Sequence, residues 1–76
     1  MSTLPQVTGQ RLIRALARAG FIELRQRGSH VLLRHKDDLT RRVVVPVHGD
    51  SVVKPGTLRS ILRGAQLSAD ELRELL

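Results

Sequence analysis

The sequence predicts an α+β fold: a two-layer α-β-β-β-α sandwich, with a three-stranded antiparallel sheet, two helices on one of its faces, and a short helix at the C-terminus. Three observations predict it. Apolar residues recur at helical spacing between Thr8 and Gly20, again after Lys54-Pro55, and briefly after Ser68. Between the first two helices lie three segments rich in β-branched or alternating apolar residues, separated by turn-forming runs. With 76 residues the chain has room for only one small core, burying roughly 60% of the surface its unfolded form exposes. Residues 1–76 are therefore expected to form one domain.

Thr8 is placed to cap the first helix, in which Leu12, Ile13, Leu16 and Ala17 fall on one arc, and Gly20 supplies the stop. Arg11, Arg14 and Arg18 form a basic stripe on its outer side, within roughly 60° of one another at about 100° per residue. Phe21 to Gln26 reads as a strand, Arg27-Gly28-Ser29 as a turn, and His30 to His35 as a second strand. A second turn, Lys36-Asp37-Asp38-Leu39, leads into a β-branched run from Thr40 to Val47. Pro46 cannot donate to a ladder, which confines that strand to an edge or Pro46 to its end.

After the loop His48-Gly49-Asp50-Ser51, the run from Lys54 to Arg63 reads as a helix with proline in its first turn. Leu58, Ile61, Leu62 and Ala65 make its apolar face, and Arg59 and Arg63 a second basic stripe. Ser68-Ala69-Asp70-Glu71 is a capping-box pattern opening the terminal helix, with Leu72, Leu75 and Leu76 on its packing side.

Charge narrows the function. The formal net charge is +6, and residues 1 to 68 alone carry 12 basic against 4 acidic groups, a net of +8. Such a surplus points to a polyanionic partner. Phe21 is the single residue of the Phe, Tyr and Trp class, so stacking of bases on an aromatic platform is nearly excluded and contact must rest on charge and hydrogen bonds. The absence of cysteine excludes disulfides and thiolate metal sites and fits a cytoplasmic protein. No run is long enough to span a membrane, and Met1-Ser2-Thr3-Leu4-Pro5 lacks the basic-then-apolar order of a signal peptide.

Strand parity selects the candidate site. With Val31 and Leu33 facing the core, His30, Leu32 and Arg34 face outward; with Val43, Val45 and Val47 inward, Arg42, Val44 and Pro46 face outward, and His48 follows where the ladder ends. The two choices agree if the connection between these strands is odd in length. His30, Arg34, Arg42 and His48 then share a surface, joined by Arg25. His35 has the opposite parity and reads as a strand-end residue, while Arg41 and Arg42 read as a solvated pair.

Histidine and arginine together are the minimum for metal-free RNA cleavage by attack of the 2′-hydroxyl on phosphorus. His30 is the candidate acid or base, His48 the candidate second proton-transfer group, and Arg25, Arg34, Lys54 or Lys36 would neutralise charge developing on phosphorus. Gly28 supplies a backbone position free to take positive φ and lets a phosphate approach the N–H of Ser29. The three histidines lack paired-ligand spacing, the chain lacks the clustered carboxylates that a metal nuclease would need, and Gly9, Gly20 and Gly28 are too dispersed for a phosphate-cradling loop. No metal and no cofactor is implied.

Gly28-Ser29-His30, the apolar strand ending in His35, the run Val45-Pro46-Val47-His48, and Lys54-Pro55-Gly56-Thr57-Leu58-Arg59-Ser60-Ile61-Leu62, in that order, resemble the HicA family of small toxins. The resemblance runs from the Gly9 helix to the Leu67-Ser68 helix start. It implies a fold similar to the double-stranded RNA-binding domain and activity as an mRNA-cleaving ribonuclease. It places the essential histidine on His30 and the glycine before it on Gly28, and it implies a HicB-type antitoxin as partner and a bacterial or archaeal cytoplasmic setting. RNA contacts are expected at Arg25, Arg34, Arg42 and Lys54 and along the Arg11, Arg14 and Arg18 stripe. Leu32 and Leu33 make the second strand more apolar than an open sheet needs, which suits packing by the antitoxin. Two other readings of the same residues are a noncatalytic RNA-binding module and a protein whose positive surface holds an acidic partner.

Overall fold

The computed structural model describes residues 3–76, and the elements follow the expected order. They are α1 (Gly9–Arg18), β1 (Phe21–Arg27), β2 (His30–His35), β3 (Arg42–Pro46), α2 (Pro55–Ala65) and α3 (Ala69–Leu75). The sheet is antiparallel in the order β1-β2-β3. Thr8 caps α1 by accepting from the Arg11 N–H, and Ser68 and Glu71 close a reciprocal capping box on α3. Both caps are legible in the sequence as residue types at fixed spacing.

One hydrophobic cluster lies between the sheet and the helices. Val31, Leu33, Val43 and Val45 line its sheet side, while Leu12 and Leu16 of α1, Leu58, Ile61 and Leu62 of α2 and Leu72 of α3 close the other. Val7 and Val53 also belong to it. They lie outside the helices and strands and are joined by the Val53 N–H donating to the Val7 carbonyl, with Thr8 and Val52 forming an isolated bridge alongside. No periodic pattern marks two single valines in loops as core. In α1 the buried alanine is Ala15, and Ala17 is exposed, so the apolar arc is turned by a few tens of degrees from the one expected.

The third strand is shorter than its β-branched sequence suggests. Thr40 is held instead in the preceding turn, where its N–H and hydroxyl both donate to the Asp38 carboxylate. Arg41 is not half of a solvated pair. Its Nε donates to the Ala65 carbonyl and its guanidinium lies 5.4 Å from the Phe21 ring centroid, tying the C-terminus of α2 to the sheet. Between the paired residues Arg34 and Arg42 lie seven residues (35–41), the odd number that lets both strands keep their even-numbered side chains outward.

Candidate active site

The helices cover one face of the sheet, and the other is open. Its side chains form three rows across the strands: Arg27–His30–Pro46, Arg25–Leu32–Val44 and Ile22–Arg34–Arg42. The first row depends on the hairpin. Its loop is the two residues Gly28 and Ser29, with Gly28 at φ +53°, the arrangement of a type II′ turn, and a Cβ on Gly28 would meet nothing within 4 Å. The requirement for glycine there is conformational rather than steric.

The presence of Arg25 and Arg27 on this face has a local cause. Strict alternation from the buried Phe21 would turn them toward the helices. A bulge intervenes, because Glu23 pairs with Leu33 and Arg25 with Leu32, leaving Leu24 without a partner. Beyond it, odd-numbered residues face outward. Arg25, Arg27, His30, Leu32, Arg42 and Val44 together line a depression of about 330 Å³. Sequence pattern assigns Arg27 to the turn instead; the bulge that brings it onto this surface leaves no mark in the apolar periodicity.

His48 follows β3 and is brought back beside His30. The two rings lie edge to face with centroids 6.2 Å apart, and both residues are exposed. Three contacts steer the chain there. The Val47 N–H donates to the Ser29 carbonyl at 2.6 Å, extending the pairing past Pro46, and the Ser51 N–H donates to the His48 carbonyl to close the next turn. The start of α1 presses on the same place, since a Cβ on Gly9 would collide with the Pro46 carbonyl oxygen.

His35 is occupied structurally. Its Nδ1 accepts from the Asp37 and Asp38 N–H groups, its Nε2 lies 3.1 Å from the Ala19 carbonyl, and its ring stands edge-on to Phe21. Those partners assign the Nε2–H tautomer. Among the described residues, Arg25, Arg27, Arg34 and Arg42 form no ion pair, and Arg34 Nε is buried without a hydrogen-bond partner. Such an unmatched donor costs about 1–3 kcal/mol.

The remaining expected contacts lie elsewhere. Lys54, exposed at the N-cap of α2, lines a cleft that His48 also lines. Lys36, exposed in the turn after β2, is held through its N–H to the Gly20 carbonyl. Arg11, Arg14 and Arg18 are on α1, beneath the sheet rather than on its open face. Arg14 lines a groove with Glu23, and Arg18 donates to the Leu75 carbonyl of α3 at 2.6 Å. No group of three or more His, Asp or Glu side chains with metal-binding geometry occurs among the described residues.

A family model described as the HicA toxin of bacterial toxin-antitoxin systems matches residues 9–67, which takes in the sheet, the histidine pair and α2. The chain belongs to the HicA toxin family. It is thus the toxin member of a toxin–antitoxin pair, and an antitoxin is its implied partner. A search among curated proteins finds no match. In this HicA toxin the matched segment spans both hairpin and histidines, and no helix among the described residues is long and apolar enough to cross a membrane.

Proposed function

We propose that this HicA toxin is an mRNA-cleaving endoribonuclease that works without a metal ion, with His30 as the catalytic residue and His48 as the second proton-transfer group. The observation that carries the reading is the pairing of the two exposed rings, 6.2 Å apart, at the rim of a face bearing four arginines. Rings this close can address one phosphate, each within about 2.6–3.2 Å of one reacting oxygen. One imidazole takes the proton of the 2′-hydroxyl as that oxygen bonds to phosphorus. The P–O5′ bond breaks, and the other ring, protonated, delivers its proton to the departing oxygen. The products are a 2′,3′-cyclic phosphate and a free 5′-hydroxyl. Arg25, Arg27 and Arg42, which line one depression with His30, would meet the charge that builds on phosphorus, the charge whose stabilisation lowers the barrier most. Arg34, further along the face, and Lys54, in the adjoining cleft, are positioned to hold flanking phosphates, and the open Gly28-Ser29 turn leaves room for the backbone to approach the RNA.

The same face suits a HicB-type antitoxin acting in the cytoplasm, because covering it hides histidines and arginines together. Ile22 and Val44 are 44% and 48% exposed on it, apolar area that a protein partner would bury. Incubation with mRNA in EDTA tests the catalytic reading. Fragments ending in cyclic phosphate are expected from the wild type, with the rate lowered at least about 10²-fold by His30→Ala. RNA that is bound yet left intact by the wild type would favour the noncatalytic module instead.

A further inference from the structure

Beside the histidine pair, the end of β3, the 48–53 loop and the start of α2 enclose a cleft of about 380 Å³. Pro46 and Val52 give it an apolar wall, Ser51 and Thr57 add hydroxyls, Lys54 adds a positive charge, and no acidic side chain lines it. Its volume lies in the range of about 300–1,000 Å³ typical of small-ligand pockets. Two facts join it to the proposed reacting centre. His48 belongs to both the cleft and the ring pair, and Pro46 is the cross-strand partner of His30. An RNA strand whose scissile phosphate lies between the rings therefore has a neighbouring nucleotide at the mouth of the cleft.

We propose that this cleft is the subsite for the nucleoside adjoining the scissile phosphate and that it sets which base is accepted there. The inference rests on the ribonuclease reading above. The base packs against Pro46 and Val52, the latter 49% exposed. The hydroxyls of Ser51 and Thr57, each able to donate and to accept, read its edge. Lys54 neutralises the phosphate beyond it. Because no phenylalanine, tyrosine or tryptophan lines the cleft, discrimination falls mainly to hydrogen bonds and fit, and a site built on hydrogen bonds penalises a base that leaves them unmade.

Sequencing the ends of fragments cut from a random RNA pool provides one readout. The wild type is expected to show a base preference at one position adjoining the cut. Thr57→Val, which removes a hydroxyl at nearly constant volume, flattens that preference by about tenfold, and Val52→Trp, which fills the cleft, changes it. A second readout needs no cleavage. His30→Ala protein is titrated with four oligonucleotides bearing a 2′-deoxy nucleotide at the cut site and differing only in the adjoining base. Their spread in Kd is expected to collapse when Thr57→Val is added. An enzyme dependent on His30 whose base preference is the same in all variants would overturn the subsite alone. Wild-type protein that cuts no better than His30→Ala would overturn the ribonuclease reading, while the titrations would still report whether the cleft selects a base.

Discussion

At the scale of single residues, the three histidines divide by what their nitrogens touch. His35 satisfies two backbone N–H groups and faces a carbonyl, whereas His30 and His48 are exposed and face each other. Replacing His35 with alanine is expected to lower stability by about 1–3 kcal/mol, because its backbone partners lose their bonds. His30→Ala and His48→Ala should stay within about 0.5 kcal/mol of the wild type in urea unfolding while RNA cleavage falls. A His35 variant that unfolds like the wild type would undo this division. The parity of the second strand makes the separation of His30 from His35 legible in the sequence. The ring contact with His48 is not legible there, since it depends on Gly9 packing against Pro46 and on a hydrogen bond from Val47 to Ser29, contacts between segments far apart in sequence.

At the scale of elements, caps and turns carry acid sensitivity. The Ser68 backbone N–H, donating to Glu71, holds that carboxyl below its usual value of 4.5, and the Thr40 hydroxyl and N–H hold Asp38 below 3.8. Both shifts are downward, so their contribution to stability is complete above those values and disappears as pH falls through the lower folded-state ones. Urea midpoints measured down from pH 6 should therefore decline below about pH 4.5, and less steeply in Glu71→Gln. Ser68→Ala should cost about 0.5–2 kcal/mol at neutral pH through loss of the α3 cap. The same scale shows what sequence patterning conveys well. Helix caps and the second strand depend on local chemistry and fall where expected. The third strand begins late because the Asp38–Thr40 turn competes for residues whose β-branching alone favours a strand.

For the whole molecule, positive charge is distributed over two faces with different consequences. Removing Arg25 or Arg42 is expected to weaken RNA binding and to reduce the magnitude of the slope of log K against log salt, by about 0.7 for each single-strand phosphate no longer neutralised. Arg18→Ala should act mainly on stability, because its guanidinium is engaged with the C-terminal helix. Equal changes of slope from the α1 and sheet arginines would show that both faces bind RNA. The sheet face also depends on one unpaired residue. The first strand is written in two frames, even-numbered side chains outward before Leu24 and odd-numbered ones after it. Deleting a residue from a strand ordinarily turns its remainder inside out; deleting Leu24 would instead merge the frames and leave Arg25 and Arg27 facing outward. A shortened protein that still melts cooperatively and still cuts RNA is the expected result, whereas one extra residue between Arg25 and Gln26 should put Arg27 on the wrong side of the sheet. Half of the open face's guanidinia are thus set by counting rather than by contact, and length variation in this strand would change the toxin's surface charge without altering a single amino-acid type.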